Sequence, residues 1–303
     1  MALELESLLI FLKVAELRSF TRAGEQLGMG KARVSLQLSA LETELGTRLF
    51  HRSTRVVRLT PDGERLLPRA RRLVTEGQDV AEMFHGAREL RGHVRLDLPI
   101  SFARDLIIPR LPELFGRHPA LELTVSSTDR LVEPVREGFD CILRVGAPRD
   151  PNLVAKRLGV LPMANCASPL YLERHGTPTQ LADLAEHFVV HYSASEGDTP
   201  SFEYRDAAGD QEYPMRSALT VNNSDAYWAA CQAGLGIIQL PRSARLLASL
   251  AAGTLVEVLP ALTSAPMPVT LLHTHGRNVP RRVRAVMNWL TDVMKSALGA
   301  EQP

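Results

Sequence analysis

The sequence predicts an α/β protein in two parts: a small helix-rich N-terminal module, then a larger module of strands and helices, with one long helix between them. Three observations lead there. Apolar residues recur at helical spacing through the first ninety positions. Basic residues crowd into one short span of that region, although the whole chain is nearly neutral. From about residue 91 onward, short apolar runs of period two alternate with helical stretches, the pattern of a parallel sheet covered by helices.

The chain has 303 residues, 35 Lys plus Arg, 34 Asp plus Glu, and a formal net charge of +1. That length suits two or more domains with real cores. A balanced charge excludes a histone-like polycation and leaves room for a basic patch. The three cysteines, Cys141, Cys166 and Cys231, form no CxxC, so they imply neither a zinc site nor a disulfide framework. The N-terminus carries acids where a secretion signal would be basic, and its apolar run is broken by Lys13. No stretch is apolar for long enough to span a bilayer. A cytoplasmic protein in a reducing compartment is expected.

Leu5, Leu8, Leu9, Leu12 and Ala15 place a first amphipathic helix over residues 3–17. Ser19 or Thr21 can cap a second, running to about Leu27, with Gly24 inside it marking a close helix contact. Gly28-Met29-Gly30 reads as a turn. A third helix follows with Val34, Leu38, Leu41 and Leu45 on one face, and Gly46 stands where a left-handed cap would end it. Two short helices about a glycine turn make a helix-turn-helix. With the apolar stripe inward, Arg33 and Leu36 point away, Ala32 and Ala40 lie beside them, and Lys31 and Ser35 flank the N-terminal end. That end of such a helix enters a DNA major groove. There Arg33 can reach the O6 and N7 of guanine and Leu36 a thymine methyl; Arg33 can also be a plain surface arginine. Lys31, Ala32, Arg33, Ser35, Leu36 and Gln37 are the expected DNA-facing set.

Next, Leu49-Phe50 and Val56-Val57-Leu59 read as two strands about Ser53-Thr54. Arg48, Arg52, Arg55 and Arg58 stud this hairpin with no acid between them, as in a wing that grips phosphates. Thr60-Pro61-Asp62 starts a helix. From there Leu66, Ala70, Leu73, Gly77, Val80, Phe84 and Ala87 alternate by four and three, a heptad seam that needs a partner. A second copy of the helix is the favoured partner and the chain's own domain the other. Pro68 should bend the helix or loosen its first turns.

The segments FLKVAELRSFTRAGEQL and VSLQLSALETELGTRLFHRSTRVVRLTPDG, in this order, closely resemble the N-terminus of LysR-type transcriptional regulators. Gly24, Gly30-Lys31 and Leu36 depart from the usual pattern, which bears on the operator sequence and not on the binding mode. EGFDCILRVGAPRDPNLVAKRLG, CASPLYLERHGTP and NNSDAYWAACQAGLGIIQLP look like the effector domain of the same family. The resemblance implies a winged helix-turn-helix over 1–60, a linker and dimerisation helix over 61–90, and an effector-binding domain over 91–303. It also implies two lobes like those of type 2 periplasmic binding proteins, lobe I at about 91–163 plus 270–303 and lobe II at about 164–269. A homodimer paired through the linker helix, assembled into a homotetramer on pseudo-palindromic promoter DNA, would respond to a small effector. An activator of this kind would also meet RNA polymerase.

The second module reads as strand 94–98, helix 103–117, strand LELTVSS, a short helix in RLVEPVREG and strand FDCILRVG. A strand near 161–167, a helix from Pro169, strand 188–192 and a hairpin over 202–216 follow. Then come strand 218–222, helix 224–233, strand 235–240, late strands LVEVL and PVTLLHTH, and a closing amphipathic helix. The resemblance puts the crossings between lobes near 162–167 and 266–271. In such sheets ligands bind at the carboxyl ends of strands. Ser101, Ser127, Thr128, Arg144 and Asn223 sit at those ends, suited to a small organic anion, though each serine can be a helix cap and Arg144 can pair with Asp140 or Asp150. The resemblance adds Phe202 and favours Ser101 and Thr128.

No catalytic signature is present: no G-x-S-x-G, Walker loop, GxGxxG after a strand, or H-E-x-x-H. His273 and His275 lack a nearby third ligand, and His191 near Ser193 lacks a third partner. No metal or cofactor is expected, and no enzymatic activity. Two alternatives remain: a solute-binding sensor without DNA function, and a redox-responsive regulator using Cys231.

Overall fold

The computed structural model describes residues 3–52, 57–83, 90–146, 150, 153–193, 198–275 and 279–300, side chains at 52, 78, 79, 81–83 and 300 aside. Two compact units emerge: Met1–Arg88 with Val135–Gly138, and Glu89–Pro134 with Phe139–Pro303.

The first unit follows the helical rhythm of its sequence. Helices α1 (Leu5–Leu17), α2 (Phe20–Leu27) and α3 (Lys31–Leu45) precede an antiparallel ribbon of β1 (Phe50–Arg52) and β2 (Val57–Leu59). Ser19 caps α2 by accepting from the Arg22 N–H at 3.3 Å. Gly28 and Gly46 end α2 and α3 in the left-handed region. Leu8, Phe11, Val14, Ala23, Val34, Leu38, Leu41, Leu49 and Phe50 form the core, as the apolar stripes require. Gly24 is the expected close contact: a Cβ there would lie 2.5 Å from the Met29 carbonyl oxygen.

Helix α4 (Pro61–Met83) starts at the Thr60 cap, whose Oγ1 accepts from the Gly63 N–H at 3.1 Å and donates to the Arg48 carbonyl at 2.6 Å. It runs through Pro68 as one helix. The heptad seam divides. Ala70 is buried in the N-terminal core beside Val74, and Gly77 faces Leu5 of α1, so the chain's own domain takes part of the seam. Leu73 and Val80 stay 44% and 56% exposed. Phe84 and Ala87 lie outside the described residues.

Gly63 sets how closely α4 approaches the ribbon. A Cβ there would lie 2.2 Å from the Leu49 carbonyl oxygen, a backbone atom that cannot swing aside. Gly63→Ala is therefore expected to destabilise this unit by about 2 kcal/mol or more, within the range for overpacking. Hydrogen exchange of the α1 and α3 amides in the full chain would read it, and unchanged protection would show that the junction yields.

In the second unit the lobe I sheet has the order β4-β3-β5-β14-β6. Its strands are β3 (Arg91–Leu98), β4 (Ala120–Ser127), β5 (Cys141–Val145), β6 (Val154–Leu161) and β14 (Met267–His273). Strand β3 is parallel to β4 and β5, but β14 is antiparallel to β5 and β6. The expected all-parallel sheet is therefore mixed, because β14 returns from lobe II and inserts between two strands running the other way. Strand β6 escaped the sequence reading: it is a sheet edge, and its first four residues are exposed, so no apolar alternation marks it.

The expected helix 103–117 begins earlier and changes type. It comprises α5 (Ile100–Phe102), a π turn (Ala103–Ile107), a 3-10 turn (Ile108–Arg110) and α6 (Leu111–Arg117). Pro109 and Pro112 each remove an N–H from the ladder, which fits the local change of winding. A short helix α7 (Pro134–Glu137) precedes β5.

Lobe II holds β7 (Met163–Ala167), α8 (Pro169–His175), a 3-10 helix (Leu181–Glu186) and β8 (His191–Tyr192). After them come β9 (Ser201–Asp206), β10 (Gly209–Pro214), β11 (Thr220–Val221), α9 (Ser224–Gln232), β12 (Ile238–Pro241), α10 (Ala244–Ala251) and β13 (Val256–Glu257). Helix α10 was not anticipated. Strand β7 lies between β12 and β13 and is antiparallel to both, again departing from a parallel sheet. The first crossing falls at Pro162, between β6 and β7. The second lies between β13 and β14, before residue 267, so β14 belongs wholly to lobe I and the expected 266–271 was late. Helix α11 (Arg281–Ala300) covers the lobe I sheet with Val283, Val286, Leu290 and Met294.

Candidate nucleic-acid interface and ligand cleft

Helix α3 buries Val34, Leu38 and Leu41 and turns Lys31, Ala32, Arg33, Leu36 and Ala40 to solvent. Ser35 and Gln37 are half-buried at the margin. Leu36 is 72% exposed, the most exposed of the large apolar side chains among the described residues. Arg33 Nη2 lies 3.8 Å from Glu6 Oε1, with both side chains more than half exposed. Such a loose surface pair is screened and worth little, so the guanidinium can exchange it for a stronger acceptor.

The ribbon places exposed Arg48 and Arg58 beside this helix in the chain, with Arg58 opposite His51 in register. Arg55, and the Ser53-Thr54 turn, lie outside the described residues, as does the Arg52 side chain. One determinant went unseen in the sequence. Glu42 of α3 is buried, and its Oε1 accepts from the N–H groups of Leu49 at 2.8 Å and Phe50 at 3.3 Å. A glutamate within an exposed-looking Glu-Thr-Glu run gave no sign of this.

In the second unit Arg144 pairs with Asp97, not with Asp140 or Asp150. Its Nη1 also donates to the Leu143 carbonyl at 2.7 Å. Asp97 opposes Ile142 across the β3–β5 ladder, which brings the two side chains onto one face. Burial pushes the Asp97 carboxyl above its ordinary value, and Ser126 and Arg144 oppose that shift. Asp140 has its own partners: the Arg95 N–H at 2.8 Å and His275 Nε2 at 3.2 Å.

Ser127 is exposed at the end of β4. The Thr128 N–H donates to the Leu98 carbonyl, and Thr128 Oγ1 accepts from the Arg130 N–H at 3.2 Å. Ser101 is half-buried in α5. Asn223 proves to be a helix cap, its Oδ1 accepting from the Ala226 N–H at 2.9 Å. Phe202 is no cleft residue: its ring is fully buried in the lobe II core with Tyr171, Leu184, Val189 and Ile237. Other groups link the two lobes instead. Asp129 bonds to both lobes, and Arg104 of lobe I pairs with Asp225 of lobe II.

All three cysteines are buried and free. Burial pushes the Cys166 and Cys231 thiols up to about 12 and Cys141 higher still. Thiols of this kind are not thiolates at neutral pH, which removes the support for a redox role of Cys231. Among the described residues no group of three His, Cys, Asp or Glu could hold a metal ion, and no helix is long and apolar enough to cross a membrane. Ser193 Oγ donates to Asp198 Oδ2 at 3.4 Å.

Fold and site together define a nucleic-acid-binding unit followed by a two-lobed unit of the ligand-binding kind. Residues 5–64 match the family model of the bacterial regulatory helix-turn-helix protein, lysR family, and residues 87–295 match the LysR substrate binding domain. The chain is 41% identical to YhjC of Escherichia coli, named as an HTH-type transcriptional regulator, over 97% of this chain and 99% of that protein. It is 32% identical to the HTH-type transcriptional repressor PA14_22550 of Pseudomonas aeruginosa, over 96% of this chain and 92% of that one. Among solved structures, CrgA of Neisseria meningitidis superposes with a TM-score of 0.60 at 28% identity, covering 97% of this chain and 99% of that chain. The chain belongs to the LysR family of transcriptional regulators: it is a DNA-binding regulator that carries a substrate-binding domain.

Proposed function

We propose that residues 1–60 read pseudo-palindromic promoter DNA in the cytoplasm and that residues 61–90 pair two copies. Residues 91–303 then answer to a small effector, without catalysis. The observation that carries this is the solvent face of α3, where Lys31, Arg33 and Leu36 stand exposed with the basic ribbon close behind in the chain. Leu73 and Val80, exposed seven residues apart on α4, support pairing with a second copy, and a dimer of dimers extends it to a homotetramer. A two-fold dimer suits a two-fold operator. Ser101, Ser127 and Thr128 remain the strand-end candidates for effector contact, with Asn223 at the start of α9 and Arg144, which Asp97 holds in place. An effector acts by its differential affinity for two arrangements of the assembly.

A gel shift on promoter fragments across a salt series tests the reading, because phosphate contacts release counterions and affinity should fall steeply with salt. Arg33→Ala is expected to cost about 1–3 kcal/mol on the cognate site and to relax one base position. Arg58→Ala is expected to weaken every duplex alike and to reduce the salt slope by about one. If both variants behave identically on cognate and random DNA, the division between reading helix and gripping ribbon is wrong.

A further inference from the structure

The exposed face of α3 changes character along its length. Lys31 and Arg33 put two cations on its first turn. Beside them Ala32, Leu36 and Ala40, four residues apart, form one exposed apolar ridge with Leu36 as its crest. The hydroxyls that flank the ridge are turned back onto the helix. Ser39 Oγ donates to the Ser35 carbonyl at 2.9 Å, and Thr43 Oγ1 donates to the Ser39 carbonyl at 2.8 Å. Gln37 holds its side-chain oxygen inward, where it is buried. Past Arg33, this ridge therefore offers a partner apolar contact.

Bases differ in what they show such a ridge. In the major groove purines present N7 with O6 or N6, cytosine its N4 amine, and thymine an O4 oxygen with a methyl on C5. Leucine has no donor or acceptor. Against a purine edge or the cytosine amine it strips water from polar atoms and returns no hydrogen bond. Against a C5 methyl it replaces two hydrated apolar surfaces by one contact. Cytosine gains the same methyl, on the same carbon, when it is methylated at C5.

We propose that Leu36 is a specificity-determining residue for a pyrimidine C5-methyl group in the operator. It accepts thymine or 5-methylcytosine at its position and disfavours unmethylated cytosine, so cytosine methylation of the DNA tunes binding. This rests on reading residues 1–60 as the DNA-binding unit, and adds a means of regulating that same surface. Arg33 lies one turn earlier on the same side. The two residues thus read by different physics, one through charge-assisted hydrogen bonds and one through methyl burial.

The test uses the full-length protein and a site selected by it from a pool of random-sequence duplexes. Each thymine of that site is replaced in turn by uracil, which keeps O4 and the pairing with adenine and lacks only the methyl. One thymine in each half-site should respond. Affinity should fall about fourfold for one methyl and about fifteenfold for both, as expected for burying one such carbon per half-site. Where that pair is exchanged for C·G, methylating the cytosine should tighten binding by a similar factor. Leu36→Ala should bind thymine and uracil sites equally, and should ignore cytosine methylation. Leu36→Met, still long and apolar, should keep both differences. The side chain is exposed, so neither variant disturbs the core. Uracil bound as tightly as thymine at every position overturns the proposal. So does a thymine preference that survives in Leu36→Ala, or one without a response to cytosine methylation. A wild type that selects no sequence at all overturns the DNA-reading role and this inference with it. Selection without any methyl effect overturns this inference alone.

Discussion

Replacing Arg144 by alanine is expected to destabilise the second unit by about 3–5 kcal/mol at neutral pH, the cost of leaving a buried charge without its partner. Asp97 is fully buried and its Oδ1 already lacks a hydrogen bond, so its charge is compensated by the Ser126 hydrogen bond and by the paired Arg144 guanidinium, with Arg130 adding to it. Burial holds the Asp97 carboxyl above its ordinary value, and without Arg144 it rises further. A carboxyl raised in the folded state binds its proton more tightly than in the unfolded chain. Its stabilising contribution is thus complete below the unfolded value and is lost as pH rises through the folded value. The deficit of Arg144→Ala should accordingly be small near pH 4.5 and grow toward pH 8. Urea unfolding followed by tryptophan fluorescence would measure it, with Asp97→Asn and the double variant beside it. The double variant should recover most of the loss, because it removes the stranded charge together with its partner. A deficit that does not change with pH would mean that Arg144 stabilises through packing alone.

Glu42→Ala should cost the N-terminal unit about 2–4 kcal/mol, since two N–H groups lose their acceptor together. Leu49 and Phe50 are themselves buried, so water cannot replace the carboxylate. Glu42→Gln retains an acceptor oxygen and should cost about 1 kcal/mol, the difference between a charged and a neutral acceptor. The ribbon begins at this point, next to Arg48, so loosening it should weaken binding to all duplexes without altering base preference. Faster hydrogen exchange at Leu49 and Phe50, with a uniform fall in gel-shift affinity, is the expected pair of results. A changed base preference would place the role of Glu42 in orienting α3 instead.

Much of the N-terminal unit was legible because its information is local. A stripe of Val34, Leu38 and Leu41 allows only one face of α3 to turn inward, and that choice exposes Arg33 and Leu36. Ser19, Gly28, Gly46 and Thr60-Pro61 punctuate the helices through their own side chains and backbone freedom. The α4 seam was only half legible. Heptad spacing says that an apolar face needs cover, and only the fold shows that the N-terminal core takes Ala70 and that Leu5 of α1 meets Gly77, while Leu73 and Val80 stay open.

In the second unit the alternation of strands and helices was visible, but strand direction and polar partners were not. Nothing local states that β14 will lie antiparallel between β5 and β6. An edge strand such as β6, polar over its first half, leaves no periodic trace. Phe202 followed the family likeness into the cleft, whereas packing puts it in the core. Asp97 and Arg144 stand 47 residues apart, and Asp129 and Ser224 stand 95 apart. By itself, then, the sequence determined the α/β class, the helix-turn-helix with its basic ribbon, and the side of α3 that faces solvent. Only the tertiary structure decided which carboxylate answers which cation or N–H group. Periodicity is carried by neighbours along the chain, whereas a charge finds its partner only after topology has brought distant strands and lobes together.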